Sequence, residues 1–344
     1  MNFWEIKQKI HLEYKNGDFV KSIGGKITYS IGENTGEINL NNKIYSSLAL
    51  IKPFRRALRL NRLNVKALEN NTLLIIKNSN LYIYDLVSKR TELKFKFPFT
   101  KYVHNETISI QKNNIVIGEY GNSNHQYDIG VFISNDFGKN WNRKTLYNKG
   151  SVKNILSIGY DSFEKNYWVY TGDNERDCSI RVYNKNFDLQ KIVGENSFTF
   201  RAISSIYTEN EVIWLMNNPF GESNVVVYNR TSELIEIGQQ FLGPIWYSTK
   251  LSGIYFATTA AESSPNRNFK MVYLYKSIDF KNWELVDKYK KDFLNKKVFL
   301  FGLISFSDQD SYSEYLNVYF DGVEKKDGNN YKLDIKQMNK KYDY

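Results

Sequence analysis

Along this chain, apolar and polar residues alternate in short runs, each closed by a cluster of Asn, Asp, Gly or Ser. Runs of this kind form β-strands, and here they come in fours. One group comprises a strand near 106–111, NIVIGEY (114–120), DIGVFIS (128–134) and a strand at 141–147. The next reads NILSIGY (154–160), NYWVYTG (166–172), SIRVYN (179–184) and LQKIVG (189–194). FRAISSIY (200–207), VIWLMN (212–217), NVVVYN (224–229) and LIEIG (234–238) follow, then IWYSTK (245–250), GIYFATT (253–259), KMVYLYKS (270–277) and WELVD (283–287). The groups recur every 45 to 50 residues or so, the spacing of propeller blades. An earlier blade is expected from LNVKAL (63–68), TLLIIK (72–77), LYIYDL (81–86) and TELKFKF (91–97). A last blade is expected from VFLFGLISF (298–306), YLNVYF (315–320) and YKLDIKQ (331–337).

This pattern predicts an all-β chain, a six- or seven-bladed β-propeller of four-stranded antiparallel blades. Residues 51–344 hold the propeller. Residues 1–50, with strand-like pieces such as KITYSIG (26–32), join it as a further blade or as strands that close the ring, and His11 falls outside the blades. A ring of blades remains one domain at 344 residues because each blade buries its faces against its neighbours.

Composition agrees. The chain has 26 Tyr, 22 Phe and 6 Trp but only 5 Pro, and aromatic residues suit a pleated, half-buried surface. One cysteine, Cys178, excludes an intramolecular disulfide framework. The N-terminus carries charges throughout and lacks the apolar core of a signal peptide, and no apolar run is long enough to span a membrane. A cytoplasmic protein is therefore expected. The formal charge of +10 admits a polyanionic partner: nucleic acid, an anionic membrane surface or an acidic glycan. Its densest segment is Lys52, Arg55, Arg56, Arg59, Arg62 and Lys66. No nucleic-acid-binding motif accompanies the charge, so nucleic acid is not an expected partner. The histidines have no metal-ligand spacing, and no phosphate loop, nucleophile elbow or CxxC pair occurs. No metal and no cofactor are expected. The pattern leaves the oligomeric state open.

Two short segments share a motif. Ser134-Asn135-Asp136-Phe137-Gly138-Lys139-Asn140-Trp141 is matched by the shorter Ser277-Ile278-Asp279-Phe280-Lys281-Asn282-Trp283. In a hairpin turn, Ser and Asp side chains satisfy turn amides, Gly permits positive φ and Trp packs beneath. The first segment resembles the S-x-D-x-G-x-T-W Asp box of sialidase-like (BNR-repeat) propellers and departs from it at Asn140. Further stretches resemble BNR-type proteins associated with bacterial surface polysaccharides: GEYG (118–121), WVYTGDNE (168–175), FRA (200–202), GPIW (243–246) and ATTAAESS (257–264). Where such relatives carry R-H-I-H, this chain reads Lys153-Asn154-Ile155-Leu156. True sialidases, similar in fold, would imply an arginine triad, an Asp acid and a Tyr–Glu nucleophile pair. Arg201 is the best match to a carboxylate-binding arginine, with Arg55 or Arg56 second; the F-R-I-P signature is missing.

In a propeller, the second-strand ends and first-strand starts share one rim, and the Asp boxes lie on the opposite edge. The second strands end in Glu119-Tyr120, Asp173, Asn217 and Glu262. The first-strand starts contribute His104, Lys153, Asn154, Arg201 and Trp246, with Arg56 before the early blade and His125 in a loop of the same rim. Carboxylates supply acid, base or nucleophile, Arg pairs with an acidic sugar, and aromatic rings stack on sugar faces. Glu119, Asp173, Glu262 and Tyr120 are thus candidate catalytic residues, and Arg201, His104, Asn217, Trp246 and Arg56 candidate substrate-binding residues. Polar residues also cap strand ends for structural reasons. Three functions fit: a glycoside hydrolase or lyase acting on an acidic or surface polysaccharide, a cytoplasmic glycosyltransferase or other enzyme of polysaccharide assembly, and a non-catalytic glycan- or protein-binding propeller.

Overall fold

A computed structural model describes residues 4–100, 102–121, 126–262, 264, 267–295, 299 and 301–338. The protein is an all-β propeller: among these residues the strands form seven blades, accompanied by three short α-helices. The chain divides into two compact units.

One unit, Asn64–Asn218 with Glu222–Phe241, contains four blades whose strands pair in sequence order. These are β6–β9 (Asn64–Leu68, Thr72–Lys77, Asn80–Asp85, Arg90–Lys96), β10–β13 (Ile108–Gln111, Asn114–Gly118, Ile129–Ser134, Asn142–Tyr147), β14–β17 (Ile155–Asp161, Asn166–Thr171, Ser179–Tyr183, Leu189–Glu195) and β18–β21 (Ala202–Tyr207, Glu211–Met216, Ser223–Asn229, Ile235–Phe241). Their second strands are apolar almost throughout: TLLIIK is buried at every position, NYWVYT and EVIWLM at all but the first. These strands are buried on both faces, which removes the inside-outside alternation of a one-sided sheet. The fourth strands, RTELKFK and IEIGQQF among them, are largely exposed and carry the charge. Between blades the core is aromatic and β-branched; Trp168, Tyr170 and Trp214 are sealed between the third and fourth. The same two blades share a buried ion pair, Arg230 Nη1 to Asp161 Oδ2 at 2.6 Å.

The other unit comprises residues up to Leu63, Pro219–Gly221 and Leu242 onward. One of its blades is β22–β25 (Ile245–Leu251, Ile254–Thr259, Met271–Ser277, Glu284–Lys290). A second is β2–β5 (Lys9–Glu13, Phe19–Ile23, Lys26–Ile31, Asn34–Asn39), with β27 (Asp308–Gln309) added parallel to β2. A third runs β26 (Leu303–Phe306), β28 (Tyr315–Asp321), β29 (Asn330–Asp334) and then β1 (Trp4–Ile6), with Trp4 opposite Lys332. The N-terminal residues thus build one blade, β2–β5, and supply the outer strand of another. His11 lies inside β2, buried and hydrogen-bonded to Ser22, rather than outside the blades. The expected strand through residue 337 stops at Asp334, whose carboxylate accepts the Lys336 N–H at the start of helix α3 (Ile335–Met338). Helices α1 (Lys43–Leu48) and α2 (Lys52–Ala57) precede the first of the four sequential blades.

Candidate functional site: two polar clusters

In the four-blade unit, the end of β11 meets the start of β14 in the following blade. Tyr120 bridges Asn154, and the Ile155 N–H donates to the Glu119 carbonyl at 3.1 Å. Gly121 permits this approach, since a Cβ there would collide with the Lys153 carbonyl oxygen. Glu119, Asp173 and Asn217 all lie just past second-strand ends, but their side chains meet different fates.

Glu119 turns into its own blade. Its carboxylate accepts from Arg143 Nε at 3.0 Å, from Arg143 Nη2 at 2.7 Å and from the Gly130 N–H at 2.8 Å, with no surface exposed. That bond holds the Arg143 guanidinium above its ordinary pKa. Arg201 is also buried, and its guanidinium donates to both the backbone and side-chain carbonyls of Asn217 in the same blade. His104 is buried with its ring nearly parallel to Tyr120, centroids 6.4 Å apart. Asp173 remains partly exposed and is bridged by Lys153 at 2.5 Å. Tyr120, Lys153 and Asp173 therefore form the accessible part of this cluster. His125 lies outside the described residues.

In the other unit, Trp246 follows the first residue of β22, and Glu262 lies just beyond β23. Both are partly exposed, and the indole N–H donates to Glu262 at 3.1 Å. Phe301 and Tyr247 stand 5.1 and 6.2 Å from Trp246, ring to ring, also partly exposed. Arg56 is ion-paired with Asp292, with Asp327 at 3.5 Å, and donates to the Phe299 carbonyl at 3.0 Å. Burial opposes its charge, but the Asp292 bond and the Asp327 field outweigh it, leaving the guanidinium above its ordinary value.

Two features escaped the sequence reading. Lys77 ends β7 at the corresponding second-strand position and is almost fully buried, which pushes its ammonium down to about 8. A lysine closing TLLIIK was the available signal. The second is the breadth of the turn motif. Asp136 accepts from the Asn140 N–H and side-chain amide at 2.9 and 2.7 Å, and Trp141 donates to Gly138. Asp279 repeats this with Asn282 and Trp283. The shorter copy lacks glycine because it has one positive-φ residue, Phe280, where the longer has Phe137 and Gly138. Asp85, Asn184 and Asn229 accept turn amides at the same third-to-fourth-strand position.

No metal-binding group of His, Cys, Asp or Glu occurs among the described residues. Among them, too, no helix is long and apolar enough to cross a membrane. Comparison with known proteins adds the fold class. No family model matches the chain, and no curated protein matches it in sequence. Among solved structures it is similar to a chain of the mitotic checkpoint complex (TM-score 0.55, 9% identity, 97% of this chain and 93% of that one). It is also similar to the Myceliophteria thermophila Cps50 (Swd1) β-propeller domain (0.53, 10%, 97% and 98%). The extracellular domain of BT4673, a one-component system of B. thetaiotaomicron, matches at 0.53 and 12% identity over 94% of this chain and 38% of that one. Likeness at such identities defines a β-propeller and leaves its ligand to the chemistry of the site.

Proposed function

We propose that this chain is a non-catalytic glycan-binding propeller whose sugar seat is the Trp246–Glu262 cluster. The carrying observation is a partly exposed indole, flanked by two further rings, with a carboxylate fixed on its N–H. An aromatic face takes the C–H face of a pyranose while a fixed polar group accepts its hydroxyls. The two Ser-Asp-Asn-Trp turns support grouping the chain with sialidase-like Asp-box propellers, whose ligands are sugars.

Most glycoside cleavage uses two carboxylates flanking one bond, and sialidases an acid with a Tyr–Glu pair, so each scheme needs free carboxylates. Of the carboxylates expected in that role, Glu119 is enclosed by Arg143 and Gly130 and Asp173 is bridged by Lys153. That favours binding over turnover. Calorimetric titration with acidic and neutral oligosaccharides tests the reading. Trp246→Ala should weaken binding about tenfold or more and Glu262→Gln by less, while Asp136→Ala leaves affinity unchanged. Shortened or extended glycans that disappear with Asp173→Asn would replace this reading with an enzymatic one.

A further inference from the structure

Between Ile38 and Leu68 the chain contains seven Lys or Arg and no Asp or Glu. The same stretch holds α1 and α2, and there the usual ordering of side chains is inverted. Arg55 is buried and donates to the Ala49 carbonyl at 2.9 Å, and Arg56 is clamped to Asp292. Leu60 and Leu63 pack inward, and the Asn61 side-chain oxygen accepts the Gly24 N–H at 2.8 Å. Outside lie Ile44, Leu50, Ile51, Phe54 and Leu58, with Leu50 79% and Ile44 70% exposed. The element is thus pinned from beneath by its arginines and presents aliphatic and aromatic side chains to the surroundings.

We propose that α1 and α2 form a docking element that seats the chain on an anionic lipid bilayer. Each helix has six residues, about 9 Å of length, which suits lying at headgroup depth and is far too short to cross. Exposed apolar side chains enter the acyl boundary, and Tyr45, also exposed, matches the interface with its polar tip. Exposed Lys43 and half-exposed Arg59 can extend along that boundary to reach phosphates, while Lys52 is held by Asp327. A segment free of acidic residues complements an anionic surface and discriminates against a neutral one. This inference is independent of the glycan reading.

Vesicle flotation with the full chain tests it, using phosphatidylcholine alone and phosphatidylcholine mixed with phosphatidylserine. Binding is expected to the mixed vesicles, reduced by added salt. The double variant Leu50→Asp/Ile51→Asp should lower the bound fraction about tenfold or more, with Lys43→Glu giving a smaller loss. Both positions are exposed, so an unchanged melting temperature confirms that the variants fold. Failure to bind the mixed vesicles, equal binding to both kinds, or indifference to the double variant would overturn the proposal. So would light scattering that shows a dimer abolished by Leu50→Asp/Ile51→Asp when the vesicles are not bound, because the face would then belong to a protein interface.

Discussion

Glu119 shows how a residue can sit in a functional register and still do structural work. Three donors surround its carboxylate, and replacing it with Ala removes the partner of the Gly130 N–H and of Arg143 Nε. Such a loss costs about 2 kcal/mol or more; urea denaturation of Glu119→Ala should show it, whereas a residue reserved for catalysis would leave stability nearly unchanged. Lys77 makes the opposite prediction. Burial lowers its folded-state pKa to about 8, so the folded chain gives up the proton before the unfolded chain does. Below about pH 8 both states carry the charge and the burial cost is complete; stability rises as pH climbs towards the ordinary lysine value. Lys77→Met should therefore raise stability at pH 7 by an amount on the order of 2 kcal/mol and flatten the alkaline rise, as followed by thermal melts across pH.

At the scale of elements, the strands were legible because their burial is one-dimensional. A second strand covered on both faces must read as NIVIG or EVIWLM, and a fourth strand facing water must carry charge. Side-chain direction was less legible. Alternation located Glu119 at a strand end but did not reveal that Arg143, on β13, would draw it inward. The turns show the same limit. Ser-Asp-Trp spacing marked two of them, while Asp85, Asn184 and Asn229 perform similar capping without a diagnostic neighbour. Asn140, a departure from the motif in sequence, restores a bond through its side-chain amide to the second Asp136 oxygen. Asp136→Ala should lower stability by about 1 to 2 kcal/mol and leave glycan affinity intact, by calorimetry of both unfolding and binding. The α1–α2 segment was legible as charge but not as structure, since its apolar residues face outward and set up no core-facing period.

For the molecule as a whole, seven repeats supply stability and leave chemistry to exceptions at strand ends. Most rim polar groups are occupied within their own blades, so a ligand would find the aromatic Trp246 cluster on one unit and the Asp173–Lys153 pair on the other. The pairing of β1 with β29 carries a consequence for how the chain is made. β1 is synthesised well before β26, β28 and β29, the other strands of the blade that needs it. Until β29 is made, β1 waits without its partner, and β29 presents a bare edge until the two pair. An unpaired edge recruits other chains, so the interval before this pairing is when nascent molecules would be most prone to exchange strands with one another.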